Sequence, residues 1–151
     1  MKTLTILTPA AFALTAAILA PTAYASLDSD SATVNMSVAV FAALTGLDNF
    51  TLSTTDVDGA AGSVYSGSDS FALESNAQVR VSLTGGDLSN GSGDAVSTAY
   101  NLDANGIIME TTANSVHNNS HTVSAAATLG AISAQKAGAY SSEITLTVSA
   151  L

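Results

Sequence analysis

The residues that could do chemistry in this chain are few, and its two histidines come first. His117 and His121 are the only histidines and lie four residues apart. That spacing would place two metal ligands on one face of a helix, but the intervening residues 118–120, Asn-Asn-Ser, are typical of a turn. A zinc site also needs at least about three protein ligands. We therefore expect two exposed loop histidines, and alanine at either position should leave fold and function intact.

Two acidic loops are the other candidate sites, in this case for calcium. One loop carries Asp56 and Asp58, and the other begins at Asp87 and ends at Asp94. Calcium is held by about six to eight oxygen atoms from carboxylates, amides and backbone carbonyls. Neither loop supplies that many ligands by itself, and turns built on Asp side chains are the simpler interpretation. We expect calcium to be dispensable for folding and no cofactor to be required.

Other catalytic groups are missing from the sequence. The chain has no cysteine, which excludes thiolate catalysis, thiolate metal sites and disulfides. It contains no Gly-x-Ser-x-Gly and no His-Glu-x-x-His motif. It also has no tryptophan that could form a sugar platform beside the carboxylates of a glycosidase. The sequence thus predicts a protein that is not an enzyme.

The N-terminus has the features of an export signal. Lys2 precedes an apolar run over residues 6–20, and an Ala-Tyr-Ala triplet at residues 23–25 matches the pattern that signal peptidase cuts. The apolar run is shorter than the roughly 20 residues that a spanning helix needs. We expect a Sec-type signal peptide over residues 1–25 to be removed. The mature protein, beginning at Ser26, would then be secreted or surface-exposed and not inserted into a membrane.

Charge in the mature chain is sparse and strongly negative. After cleavage, Arg80 and Lys136 are the only cations, against twelve acidic residues. Nucleic acid and anionic lipid headgroups are bound by clusters of Lys and Arg. The composition therefore excludes nucleic-acid binding. By length, residues 26–151 are expected to form a single domain.

Apolar residues recur at every second position along most of the mature chain. This period is typical of strands that bury one face. Six turn clusters are predicted between such strands, and Asn105-Gly106 is expected to form a type I′ hairpin turn. The other five are Asp56 to Gly62, Gly67-Ser68-Asp69, Gly85 to Asp94, Asn118-Asn119 and Ala137-Gly138. We predict an all-β antiparallel sandwich of about eight strands, with a barrel as the alternative. The apolar positions lie in segments 34–40, 50–52, 71–73, 79–83, 100–102, 107–109, 123–129 and 144–148.

Two of these predicted strands carry no charge. Residues 33–41 and 144–149 alternate cleanly and contain neither Lys nor Pro. Natural proteins usually guard exposed strand edges with such residues. Either both strands are internal, or one of them pairs with another chain. For strand addition, residues 33–41 would be the donor, with alternate apolar side chains setting the register; these are Val34, Met36, Val38 and Val40.

Three segments carry a resemblance to a known family. Ala137-Gly138-Ala139-Tyr140 leads into a Thr- and Val-rich last strand, the opening segment 34–40 precedes Leu47-Asp48-Asn49-Phe50, and the strand at residues 78–84 ends in Gly85-Gly86. In these features the chain resembles the spore coat protein U family and related fimbrial-type domains. The resemblance implies an immunoglobulin-like sandwich, a role in a secreted pilus or coat, and chaperone and usher partners.

Two functions from different classes follow from these observations. The leading hypothesis is a structural subunit of an extracellular filament, pilus, coat or biofilm matrix, self-associating by β-strand addition. The alternative is a monomeric secreted or surface module for adhesion, with or without bound calcium, that attaches to a glycan or protein. Negative-stain microscopy separates the two hypotheses, because the first predicts fibres and the second predicts uniform small particles.

Overall fold

The computed structural model describes residues 29–151, so the predicted signal peptide at residues 1–25 lies outside the described residues. The described chain divides into two units at the Met36 to Ser37 junction. In the first unit, residues 29–36 form neither helix nor strand and are exposed. The second unit, Ser37–Leu151, contains every strand and one short 3-10 turn at Ile132–Ala134.

Eight strands form two antiparallel sheets in this second unit. The larger sheet has the order β1-β2-β7-β5-β4 and the smaller has the order β6-β3-β8. Every pairing between neighbouring strands is antiparallel. The strands are β1 (Ala42–Thr45), β2 (Val64–Ser75), β3 (Val79–Gly85), β4 (Leu88–Ser89), β5 (Ala95–Leu102), β6 (Ile108–Glu110), β7 (His117–Thr128) and β8 (Ile144–Ala150).

The core lies between the two sheets and follows the period of two in the sequence. In β3, Val79, Val81 and Leu83 are buried while Arg80 between them is exposed. The larger sheet contributes one buried face from three strands: Phe71, Leu73, Leu102 and Val123. Alternation therefore correctly predicted an all-β fold of two packed antiparallel sheets, because strands with one buried face must cover that face with a second layer.

Two of the predicted turns are wrong, because both lie inside long strands. All twelve residues of β2 pair with the twelve residues of β7 in one uninterrupted ladder. Gly67-Ser68-Asp69 lies within β2, and Asn118-Asn119 lies within β7. Strand formation depends on the neighbouring strand more than on local propensity. A partner of full length therefore keeps both segments extended despite their turn-forming residues.

Gly67 has a specific packing role within β2. The chain before β2 crosses this strand and forms a bridge in which Ser53 and Ser66 exchange two backbone hydrogen bonds of 2.9 and 2.8 Å. A Cβ atom on Gly67 would lie 2.5 Å from the carbonyl oxygen of Thr51. Glycine inside a strand commonly marks such a close backbone approach. It is needed here for that approach and not for a turn.

The predicted hairpin at Asn105-Gly106 is wrong, because β5 lies in the larger sheet and β6 in the smaller, so the two strands do not pair. The tight turn in this connection comes two residues earlier than predicted. Asp103 has a φ of 47° and Ala104 one of 60°, and Gly106 after them has a φ of 92°. Asn105 donates a backbone hydrogen bond of 2.8 Å to the Leu102 carbonyl, which closes the turn at Asp103 and Ala104. The Asp103 carboxylate accepts a hydrogen bond from the backbone N–H of Thr122 in β7. This tertiary contact favours the left-handed conformation at Asp103 over the Asn105-Gly106 alternative.

Replacing Gly67 by alanine tests the close approach. We expect Gly67→Ala to lower the free energy of unfolding by about 2 kcal/mol, the usual scale for overpacking. Gly86→Ala is the matched control, because a Cβ there would lie 3.8 Å from its nearest neighbour, Ser142 Oγ. The control should stay within about 0.5 kcal/mol of wild type. Urea unfolding measures both variants, and equal stabilities would contradict the packing role.

Candidate functional site

The segment predicted as the first strand is not a strand in this structure. Within residues 29–41 no strand is formed, and β1 begins only at Ala42. The alternating apolar side chains of the segment are instead exposed: Val34 by 93%, Met36 by 86%, Val38 by 71% and Val40 by 58%. In β3, the same alternation buries every second side chain because neighbouring strands are present. The pattern in residues 33–41 is therefore that of a strand without a neighbour.

The outer edge of β8 has the complementary property. This strand pairs with β3 on one side and with no other strand of the described chain on the second side. Its core-facing side chains, Ile144, Leu146 and Val148, are only half-buried although they pack against the core. Its seven residues include no charge and no proline. An edge of this kind is a template for pairing with another chain.

Apolar residues in and around β1 are also incompletely buried. β1 lies close to β8 across the sandwich. On this side the apolar residues that pack against the core are again only half-buried; they are Ala42, Leu44, Leu47 and Phe50. Apolar side chains of β8 and of the residues around β1 thus remain partly exposed to water. A further strand along β8 would remove more of this apolar surface from water.

The histidines lie in β7 and not in a loop, so the expectation of exposed loop residues is wrong. His121 exposes 16% of its side chain, and its ring lies 5.6 Å from that of Phe71. Its Nδ1 is 2.7 Å from Asp103 Oδ2. Nε2 of His117 is 2.8 Å from the Ala113 carbonyl, which can only accept, so this nitrogen carries the hydrogen. Alanine at His121 is therefore expected to destabilise the fold.

Asp103 is held ionised by its contacts. Burial opposes ionisation, but hydrogen bonds from the Thr122 N–H and from His121 outweigh it and lower the pKa of this carboxyl. An ionised Asp103 accepts the Nδ1 hydrogen of His121, which leaves Nε2 as the acceptor nitrogen in the neutral ring. Nε2 is buried and has no hydrogen-bond partner among the described residues. Within residues 29–151, the Asp103–His121 pair therefore has its hydrogen-bond contacts on the Nδ1 side of the ring.

A shallow cleft of about 230 Å³ lies beside this pair. Its lining includes Met109, Glu110 and Asn119 together with both histidines. Within residues 29–151, no three His, Asp or Glu side chains are arranged to hold a metal ion. Sequence reasoning missed the role of Asp103. The available signal was an Asp at the end of an apolar strand, where such side chains bind neighbouring backbone.

Each of the four calcium candidates accepts a hydrogen bond within the protein. Asp56 Oδ2 accepts a 3.0 Å hydrogen bond from the Val64 N–H. Asp58 accepts one from the Tyr65 hydroxyl, a contact that raises the tyrosine pKa. In the second loop, Asp87 accepts from the Thr98 N–H at 3.0 Å, and Asp94 accepts from the Asn90 side-chain amide at 2.7 Å. These carboxylates stabilise loops and strand ends.

Comparison of the chain with protein-family models and with curated proteins gave no match. Across the described part of the chain, no helix has the length and hydrophobicity required to cross a membrane. The function must therefore be inferred from the molecule's own features. Among these, the exposed segment at residues 33–41 and the open edge of β8 are the pair with complementary properties.

The Asp103 contact predicts a specific dependence of stability on pH. Because the folded-state pKa is lowered, this stabilisation is complete above the unfolded pKa, near 3.8, and is lost as pH falls through the folded value. Asp103→Asn removes the titrating group, so its unfolding free energy should fall less than that of wild type between about pH 5 and pH 2. Urea unfolding at several pH values measures this, and an unchanged slope in Asp103→Asn would contradict the assignment.

Proposed function

We propose that this protein is a secreted structural subunit that polymerises by β-strand addition. The observation that carries the proposal is the exposure of four alternating apolar side chains ahead of β1, in a molecule whose β8 edge has no strand partner in the described chain. In this arrangement residues 33–41 of one copy add to β8 of the next copy. Each molecule then supplies one donor and one acceptor, so the contact repeats head to tail and produces a filament.

The two surfaces match in length and chemistry. β8 has seven residues, and the stretch from Val34 to Val40 has the same length. Backbone hydrogen bonds along the edge of β8 supply affinity, and the alternate apolar side chains of the donor, packing beside the half-buried residues of β8, set the register. A slip by one residue would expose all four apolar side chains and bury polar or small ones, so pairing is strict. The absence of charge on both strands removes electrostatic opposition to pairing.

The proposal includes export of the chain and protection of its β8 edge before assembly. A signal peptide at residues 1–25 sends the chain out of the cytoplasm, and the mature domain is an immunoglobulin-like sandwich of the fimbrial type that the sequence resembles. An open strand edge with half-buried apolar residues is prone to unplanned pairing. A periplasmic chaperone that covers β8, and an usher that exchanges it for the next subunit, would prevent such pairing until assembly.

Charged substitutions in the donor segment test the proposal. We expect Met36→Asp combined with Val38→Asp to reduce fibre formation at least about 100-fold, because an unpaired charge would be buried against the acceptor at a cost of roughly 3–5 kcal/mol. Asn35→Asp combined with Ser37→Asp is the matched control, since it adds the same charge at the intervening, outward-facing positions. The control should assemble nearly as well as wild type. Sedimentation and negative-stain microscopy of the purified proteins measure the fibre mass.

The same double variant keeps its own β8 edge and should still act as an acceptor. It is expected to bind a synthetic peptide of residues 32–41 and to terminate growing wild-type fibres. Fibres at wild-type abundance in the Met36→Asp, Val38→Asp variant would contradict strand addition by this segment. Uniform monomers in the wild-type protein would favour the adhesion module instead.

A further inference from the structure

Asn76, in the connection between β2 and β3, binds the chain just ahead of β1. Its side-chain Oδ1 accepts a 2.8 Å hydrogen bond from the Phe41 N–H, and its Nδ2 donates one of 2.9 Å to the Ala39 carbonyl. Its backbone N–H donates a third, of 3.2 Å, to the Phe41 carbonyl. One residue thus satisfies three backbone groups of a segment that forms no strand.

The connection itself does not require an asparagine at this position. Asparagine is favoured in turns because its side chain binds nearby backbone and because it tolerates positive φ. The Asn76 side chain instead binds Phe41 and Ala39, and among the described residues other than glycine only Asp103 and Ala104 have positive φ. The adjacent turn is held by Ser75, whose Oγ donates to the Ala77 carbonyl at 2.8 Å and accepts from the Ala77 N–H at 3.2 Å. The amide of Asn76 is therefore used entirely for the residues ahead of β1.

The contacts of Asn76 divide the peptide groups of the segment into two sets. In an extended chain, the N–H and C=O groups of successive residues point to opposite edges. Asn76 binds groups of Ala39 and Phe41, which belong to one edge. No backbone hydrogen bond from Val38 or Val40 occurs within the described chain. Their peptide groups belong to the other edge, which a partner strand would use.

We propose that Asn76 is the anchor that fixes where the assembly segment leaves the domain and which of its edges faces the next subunit. This inference rests on the proposed function, because an exit point matters for assembly only if the segment enters another copy. Anchored at Ala39 and Phe41, each donor leaves its own sandwich in one direction, so successive subunits are related by one repeated geometry. Without the anchor, the donor still pairs, but the connection between subunits swivels.

The anchor is tested first in the monomer. Using the full mature chain with Met36→Asp and Val38→Asp to prevent polymerisation, hydrogen exchange at the Phe41 amide is compared with and without Asn76→Ala. Loss of both side-chain hydrogen bonds should raise the exchange rate about tenfold. Asn76→Asp keeps the acceptor for Phe41 but places a carboxylate oxygen against the Ala39 carbonyl, so Phe41 should stay protected. Asn118→Ala, at an exposed asparagine of β7, should leave the rate unchanged.

The second test measures fibres of otherwise wild-type protein. Asn76→Ala fibres should form, but with a bend-angle distribution between adjacent subunits at least about twice as wide as in wild type or in Asn118→Ala. Unchanged exchange at Phe41, or faster exchange with an unchanged bend distribution, would overturn the anchor. A wild-type protein that forms no fibres contradicts the proposed function. In that case the exchange result alone decides whether Asn76 holds the segment.

Discussion

Backbone hydrogen bonding at strand edges is the constraint on which this structure depends. A strand that ends a sheet leaves a row of N–H and C=O groups without protein partners, and the groups near the core must be covered. The ladder between β2 and β7 meets this requirement over twelve residues at the centre of the larger sheet. The smaller sheet meets it less fully, because β8 is an edge strand of seven residues, whereas the other edge strands of the described chain, β1, β4 and β6, have four, two and three residues. The open side of β8 is therefore the feature that the rest of the molecule must accommodate.

The composition of the chain limits how that edge can be covered. The chain has no cysteines that could hold a covering loop in place through a disulfide bond. The described residues also contain no α-helix that could pack over the edge of β8. Lys, Arg and Pro, which commonly guard exposed edges, are absent from β8. Under the proposed function, residues 33–41 of a second copy cover this edge. The donor segment ahead of β1 and the acceptor edge of β8 are thus explained by one requirement.

Sequence periodicity predicted the parts of the fold whose strands find neighbours inside the molecule. Val79–Gly85 and Ile144–Ala150 lie where the alternation placed strands, because each faces the core with every second residue. Periodicity could not predict whether residues 33–41 have a neighbour, since a donated strand and an internal strand bury the same alternate side chains. Periodicity also could not reveal that Gly67 makes room for the Thr51 carbonyl and does not form a turn. Thr51 is distant from Gly67 in the sequence and adjacent to it only in the folded structure.

Local propensity also gave wrong predictions of turns around the Asp103–His121 pair. Asn118 and Asn119 favour a turn in isolation, but pairing with β2 extends them, and this brings His121 in β7 beside Asp103. The Asp103 turn is determined by Thr122 and His121, which are distant in sequence and supply its hydrogen-bond donors. Turn chemistry identified the residue types involved but not their partners, because those partners are set by the register of the two longest strands.

Site-directed cross-linking between molecules tests strand addition most directly, and a chain without cysteine permits it cleanly. Ser37 is central in residues 34–40 and Thr147 is central in β8, so the two lie opposite each other whichever way the strands run. One population carries Ser37→Cys, a second carries an isotope label and Thr147→Cys, and mixed fibres are treated with a short thiol cross-linker. Strand addition predicts covalent dimers that contain one Ser37→Cys chain and one Thr147→Cys chain. Dimers of one kind only, or no cross-linked product in intact fibres, would contradict it.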